Sequence, residues 1–112
     1  MLHQQVFTFE VGAHGPYAVV RAAGELDIAA VTELRSCVRR AARRAPDVVV
    51  DLRAVTFMDT FALRALVGLQ QEAFATPEWS LHVVPGSGVQ RVLDLADARP
   101  DLRWISAEQL AD

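Results

Sequence analysis

The side chains that could act as nucleophiles or metal ligands are few in this sequence, and their spacing limits the chemistry. Ser87 lies in Gly86-Ser87-Gly88, whereas the nucleophile elbow of a serine hydrolase has its glycines one residue further out. The histidines His3, His14 and His82 fall in separate parts of the chain, so they form no metal-ligand spacing. We therefore expect Ser87 to cap a helix, and we predict no metal site.

The remaining reactive groups point the same way. Cys37 is predicted on the apolar stripe of a helix, where a cysteine more often packs as a small hydrophobic residue than acts as a nucleophile. The sequence contains no glycine loop of the GxxxxGK type, so independent nucleotide hydrolysis is not expected. The sequence therefore predicts a protein that is not an enzyme and that needs no cofactor.

Length and composition favour one globular domain over residues 1–112, with 52% hydrophobic and 22% charged residues. The net charge of −3 provides no general attraction for nucleic acid or for an anionic membrane surface, so a basic partner is electrostatically easier. A single cysteine cannot form an internal disulfide. Neither a signal segment nor an apolar stretch long enough to cross a bilayer is found. We expect a cytoplasmic protein that neither binds nucleic acid nor inserts into the membrane.

The elements that must position any site begin with a predicted hairpin. Within residues 6–11, Phe7, Phe9 and Val11 alternate strictly with polar residues, which is typical of an edge strand, and residues 12–16 are turn formers. Residues 17–24 follow closely enough to pair antiparallel with the first strand. From Ile28 onward apolar residues recur at helical spacing, and this pattern stops before Pro46.

The second half alternates between strands and helices. Val48-Val49-Val50 is typical of a central strand buried on both faces, and residues 51–58 are predicted to be a connector. Asp59 and Thr60 both suit helix capping, so a second helix is predicted from there to about Phe74. The remaining predicted elements are a strand at 81–84, a helix with its buried stripe at 89–96, a short strand at 102–105 and a helical turn at 106–110. The fold class predicted is α/β, with a mixed sheet.

Three segments in this order and spacing resemble the signature regions of STAS domains. They are Gly24-Glu25-Leu26-Asp27-Ile28, the stretch from Val48 through Asp59-Thr60-Phe61-Ala62-Leu63, and Val89-Gln90-Arg91-Val92-Leu93. The resemblance spans nearly the whole chain and is of the anti-sigma factor antagonist type. It implies a mixed β-sheet with helices packed mainly on one face, and a regulatory role in bacteria exercised at the start of the second helix.

The resemblance also implies a switch that this chain does not reproduce. In anti-sigma factor antagonists a kinase that sequesters a sigma factor phosphorylates a serine at the start of this helix, and the unphosphorylated form binds that kinase. The family pattern is Asp-Ser-Ser/Thr-Gly followed by an aliphatic residue, so the usual acceptor position is occupied here by Phe61, which has no hydroxyl. Thr60 is the nearest alternative acceptor, although capping of the helix is the more frequent role for threonine there.

Helix geometry predicts which way Phe61 points. At about 100° per residue, one side of the second helix collects a core-facing stripe of Leu63, Leu66, Val67, Ala73 and Phe74. Phe61 points nearly the opposite way, together with Ala65, Gly68 and Glu72. We therefore predict an open face on which a partner helix could approach closely. The alternative is that Phe61 is a single exposed apolar side chain, or lies under a neighbouring loop.

Three acidic residues complete the predicted partner surface. In the family, the loop that matches Glu25 and Asp27 lies beside the phosphorylation site, and the aspartate that matches Asp59 lies at the functional site. Asp27 and Asp59 also suit helix capping, which would explain both without a partner, whereas nothing local requires an acid at Glu25.

The sequence and the resemblance together leave two functions open, and both are binding functions. The first is an antagonist that binds an anti-sigma factor or serine/threonine kinase; the alternative is an accessory subunit that binds the ATPase of an ABC lipid-transport system. A nucleotide-sensing module is weaker because no dedicated site is found, and a homodimer is left open.

A basic cluster at the end of the first predicted helix could suggest RNA or an acidic protein as a ligand. Cations are favourable near a helix C-terminus, however, so a solvated face is predicted. It comprises Arg35, Arg39, Arg40, Arg43 and Arg44.

Overall fold

The computed structural model describes residues 6–110, so His3 lies outside the described residues. The strands are β1 (Phe7–His14), β2 (Tyr17–Leu26), β3 (Asp47–Met58) and β4 (Ser80–Val84). The helices are α1 (Val31–Ala42), α2 (Thr60–Phe74), α3 (Gln90–Ala96) and α4 (Ala107–Leu110), with short 3-10 segments at Ile28–Ala30, Ser87–Val89 and Arg99–Asp101. The sheet order is β1-β2-β3-β4, with β1 antiparallel to β2 and the other pairs parallel.

Helices α1, α2 and α3 cover one face of this sheet, where most of the core lies. A smaller cluster on the opposite face joins Val19, Val49 and Val84 to Ile105 and Leu110 in the C-terminal segment. The predicted mixed sheet with helices packed mainly on one face is therefore confirmed. Full burial of one such valine contributes roughly 1.5–3 kcal/mol, so both faces of the central strands stabilise the fold.

Strand β3 is longer than the sequence suggested. Residues 51–58 were predicted to be a connector, but β3 continues to Met58 and buries Leu52 and Val55 against the helices. The pairing of β2 with β3 shifts register twice, between Arg21 and Ala23 and between Gly24 and Glu25. Such shifts interrupt the period of two by which a strand is recognised.

Two further elements differ from the predictions. The final strand predicted at 102–105 is a single parallel bridge between Trp104 and Val83. Ser87 does not cap a helix: its 3-10 segment begins after Gly86 and has no side-chain cap hydrogen bond. The flanking glycines have a packing role instead, since a Cβ on Gly88 would lie 2.1 Å from the carbonyl oxygen of Val55 in β3.

Helix α2 is buried around more of its circumference than its pattern indicated. Phe74 was predicted in the core but is 58% exposed, and the guanidinium of Arg103 lies over its ring, 5.2 Å from the centroid. Gln70 is fully buried instead. Its amide donates to the carbonyl of Leu81 at 3.1 Å and accepts from the backbone N–H of Arg103 at 3.0 Å, which offsets the cost of burying a polar group.

Candidate partner-binding site

The ends of β2 and β3 and the start of α2 meet at one end of the sheet. β3 finishes at Met58, and the backbone N–H of Asp59 then donates to the carbonyl of Leu26, the last residue of β2, at 3.0 Å. The 3-10 segment Ile28–Ala30 starts from the same place. The STAS-like segments around Gly24 and Asp59 are therefore adjacent in space, as a shared site requires.

Gly24 explains why β2 can end this way. Its φ is +90°, a conformation that side chains with a Cβ rarely adopt, and a Cβ there would lie 2.0 Å from the carbonyl oxygen of Val6. That same oxygen accepts a hydrogen bond from the N–H of Glu25 at 3.0 Å. The glycine thus allows the chain before β1 to approach the end of β2 closely.

Both aspartates at this end act as helix caps. Asp27 Oδ1 accepts from the backbone N–H of Ala29 at 2.9 Å, and Asp59 Oδ1 accepts from the N–H of Ala62 at 2.9 Å. Each cap satisfies one of the donors left unpaired at a helix start and is worth about 1 kcal/mol. Partner contact by Asp27, Asp59 or Glu25 remains a prediction.

Thr60 does not have the capping role that the sequence favoured. It is the first residue of α2, and the N-cap is Asp59. Its side chain is exposed, and within residues 6–110 its hydroxyl makes no hydrogen bond. The threonine hydroxyl is therefore accessible at the surface, one residue before Phe61.

Large apolar side chains are concentrated at this end of the fold. Phe61 is 54% exposed and Ile28 is 61% exposed, each in the first turn of its helical segment. Val6, Glu25 and Phe57 lie side by side across the start of β1 and the ends of β2 and β3, and Phe57 is 51% exposed. We call the four exposed apolar residues Val6, Ile28, Phe57 and Phe61 the apolar end.

Val6 and Phe57 were not among the residues predicted to contact a partner, whereas Ile28 ends the Gly24 to Ile28 loop that was. Finding Phe57 requires knowing that β3 runs to Met58, because alternation along that strand then turns Met58 to the core and Phe57 outward. Finding Val6 requires the close approach at Gly24. The sequence signal for Phe57 is its position as an aromatic residue directly before the buried Met58 and the helix cap Asp59.

The open face predicted for α2 is only partly correct. Ala65 is 3% exposed and belongs to the core, so it cannot line a docking surface. The helical spacing in the sequence did not predict the burial of Ala65, because it does not show that α1 packs beside α2. Arg39 on α1 pairs with Glu72 on α2 at 2.7 Å. Gly68 is half-buried. It lines a groove of about 520 Å³ between α2 and residues 96–101, and Thr60 lines the same groove.

A second polar cluster lies at the opposite end of β3 and β4, and nothing in the sequence pattern predicted it. Ser80 Oγ donates to Asp47 Oδ1 at 2.7 Å and lies 3.2 Å from His82 Nε2. Since the hydroxyl of Ser80 donates its proton to the carboxylate, His82 can hydrogen-bond to Ser80 only as the donor in this arrangement. The order of groups therefore differs from that of a Ser-His-Asp triad, in which histidine lies between the other two.

The titration of His82 and Cys37 agrees with structural roles. Burial, reinforced by the guanidinium of Arg103, holds the pKa of His82 below its usual range although Asp47 acts in the opposite direction. Burial raises the pKa of the Cys37 thiol, which keeps it protonated and poorly nucleophilic. Among residues 6–110 no three His, Cys, Asp or Glu side chains are grouped to hold a metal ion, and no helix there is long and apolar enough to cross a membrane.

The comparisons with solved structures show the fold. An anti-sigma factor antagonist from Mycobacterium paratuberculosis is 22% identical, with a TM-score of 0.78 over 95% of each chain. The unphosphorylated form of the anti-sigma factor antagonist SpoIIAA is 21% identical, with a TM-score of 0.70 over 94% of each chain. The phosphorylated form of the Bacillus cell fate determinant SpoIIAA is 20% identical, with a TM-score of 0.65 over 94% of this chain and 97% of that one.

Sequence comparison identifies the family directly. None of the curated proteins searched matches this chain. The family model of the STAS domain, however, matches residues 8–78, which is well over half of the sequence. The match runs from β1 through α2 and includes three residues of the apolar end, Ile28, Phe57 and Phe61. This chain therefore belongs to the STAS domain family.

Proposed function

We propose that this protein is a non-enzymatic regulator of the anti-sigma factor antagonist kind, which binds an anti-sigma factor or serine/threonine kinase in the bacterial cytoplasm. The observation that carries this proposal is the exposure of Phe61, at 54%, at the start of α2. Similarity to solved anti-sigma factor antagonists supports the class of partner.

The binding surface is the apolar end together with the polar residues around it. Phe61, Ile28 and Phe57 supply apolar area, and aromatic residues at the centre of an interface commonly dominate its binding energy. Glu25, Asp27, Asp59 and Thr60 surround it and favour a partner with basic or hydrogen-bonding groups. Gly68 extends the surface along the groove beside α2, and the buried Ala65 is not part of it.

This surface is not switched by phosphate at the family position, because Phe61 has no hydroxyl. Thr60 has an exposed hydroxyl one residue earlier, but on a helix that hydroxyl points about 100° away from the position a kinase aligned for residue 61 would meet. Phosphorylation at Thr60 is therefore inefficient or absent. Under this proposal, binding is constitutive and is controlled by abundance or by competition with other antagonists.

A binding measurement with matched aspartate variants tests the proposal. The purified chain is titrated into the candidate anti-sigma kinase in a calorimeter, and Phe61→Asp is compared with Phe74→Asp. Both phenylalanines are more than half exposed, at opposite ends of α2, so the two variants add the same charge at different places. We expect Phe61→Asp to lose about 2 kcal/mol, roughly thirtyfold in Kd, and Phe74→Asp to lose little.

The circular dichroism of both variants should match that of the wild type, because neither position is in the core. Equal affinity for wild type and Phe61→Asp would show that the surface is assigned wrongly. Binding to the ATPase of a lipid transporter, with none to the kinase, would replace the partner proposed here.

A further inference from the structure

The outward side of α1 and the two residues that follow it have a concentration of positive charge that the rest of the sequence lacks. Five arginines fall within positions 35–44, and this stretch holds no acidic residue. We call these exposed residues the arginine face: Arg35, Arg39, Arg40, Arg43 and Arg44. The rest of the chain has six arginines against fourteen acidic residues, a net charge of −8, although the whole chain has only −3.

The helix dipole explains this charge only in part. Cations are favourable in the last turn of a helix, and the effect falls off beyond it. Arg35 lies in the first half of α1. Arg39 is four residues from Arg35 within α1 and four from Arg43, the C-cap residue, and like charges at this spacing destabilise a helix. The spacing of the arginine face therefore works against the stability of α1.

Carboxylates within the molecule neutralise little of the positive charge of the arginine face. Arg39 pairs with Glu72 on α2, with 2.7 Å between Nη2 and Oε1. Over residues 6–110 no carboxylate lies within ion-pair distance of the other four guanidiniums, and Arg40 donates to the sulfur of Cys37 at 3.6 Å instead. Four positive charges are thus available to an external anion.

The neighbouring side chains restrict what that anion can be. The side chains that α1 exposes are charged or small and polar, such as Thr32, Glu33 and Ser36 beside the arginines. A helix that binds membranes inserts apolar residues, and single-stranded nucleic acid is held by stacking on aromatic residues. Neither type is exposed on α1. The rest of the chain has a net charge of −8, which disfavours an extended polyanion such as duplex DNA.

We propose that the arginine face is a docking surface for a carboxylate-rich segment of a protein partner. α1 has twelve residues and is about 18 Å long, so a short acidic segment can cover it without reaching the acidic remainder. Arginine pairs with carboxylates through two parallel hydrogen bonds, which favours this ligand chemistry. The inference does not depend on the function proposed for the apolar end.

The probe for the test is a fluorescein-labelled peptide of about twelve glutamates, matched to the length of α1. Binding of the full chain is followed by fluorescence anisotropy at low and at physiological salt. Arg35→Gln/Arg43→Gln is compared with Arg64→Gln/Arg91→Gln, which removes the same charge from exposed arginines elsewhere. Glutamine has nearly the helix propensity of arginine, and the first pair relieves repulsion, so both variants should fold.

We expect salt-sensitive binding that Arg35→Gln/Arg43→Gln weakens about fivefold or more and that the control pair and Phe61→Asp leave nearly unchanged. Absence of peptide binding at low salt, or an equal loss in the control pair, would overturn the proposal. So would loss of peptide binding in Phe61→Asp. Tighter binding to duplex DNA, or to vesicles containing phosphatidylserine, would show that the ligand class is wrong.

Discussion

Asp59 has two separable properties, an oxygen that caps α2 and a negative charge at the candidate site. Asp59→Ala removes the acceptor for the N–H of Ala62, now bonded at 2.9 Å, and should cost about 1 kcal/mol of the free energy of unfolding. The charge beside the helix start adds about 0.3–1 kcal/mol through the dipole. Asp59→Asn keeps an acceptor oxygen, so it should lose only this second contribution.

Urea unfolding followed by circular dichroism measures both effects. With a denaturant slope of about 1–3 kcal/mol/M, a loss of about 1 kcal/mol lowers the midpoint by roughly 0.3–1 M. We expect Asp59→Ala to shift further than Asp59→Asn. Glu25→Ala, an exposed acid at the same end that caps no helix, should stay within about 0.5 kcal/mol of the wild type.

Partner affinity then separates the charge from the cap. Under the proposed function, Asp59→Asn should remain folded yet bind its partner about twofold to fivefold more weakly, the effect usual for a partly exposed charge. An unchanged midpoint for Asp59→Ala would refute the capping role, and wild-type affinity for Asp59→Asn would leave the carboxylate with the capping role alone.

Three further changes test other parts of the structure. Gly24→Ala should lower the free energy of unfolding in urea by at least about 2 kcal/mol, because Gly24 has a φ of +90° and a Cβ there would lie 2.0 Å from the carbonyl oxygen of Val6. Gly68→Ala is the matched control: a Cβ there meets nothing within 4 Å, so this change should be neutral or stabilising by up to about 1 kcal/mol. As pH falls below about 6.5 the unfolded chain protonates His82, whereas the folded chain, with its lowered pKa, protonates it only at lower pH, so stability should fall over this range. In His82→Gln this slope should be smaller, and an identical slope would count against the assignment. Incubation with the cognate kinase and ATP, followed by mass spectrometry, should show no stoichiometric phosphate, and rapid modification of Thr60 would contradict the proposed loss of the switch.

Features set by a few adjacent residues could be predicted from the sequence. The start of α2 is local, because Asp59 suits an N-cap and an apolar pattern follows it, and the structure places α2 from Thr60 to Phe74 as expected. The hairpin of β1 and β2 depends on alternation and a short turn, and it too was correctly predicted. The parallel pairing of β2 with β3 follows from a strand, helix, strand order.

Features that depend on distant contacts could not be predicted. Ala65 is buried because α1 covers that side of α2, and a helical wheel shows direction but not what lies there. Phe57 joins the apolar end only because β3 continues through two register shifts, which hide its alternation. The arrangement of Asp47, Ser80 and His82 depends on the register between β3 and β4, since the first is far from the others in sequence.

The division of roles at the start of α2 bears on how such a site can be regulated. Asp59 makes the cap, so Thr60 keeps a free hydroxyl within the described residues, and Phe61 presents an aromatic ring where the family pattern has the acceptor. A phosphate beside this helix start would itself be stabilised by unpaired N–H groups and by the dipole, so electrostatics do not prevent a switch. Under the proposed function, the obstacle is the missing hydroxyl at residue 61. An apolar side chain at that position stabilises the complex with a partner by burying apolar area, and phosphorylation cannot alter that side chain. Partner binding must then be controlled by the amount of this protein or by competing antagonists.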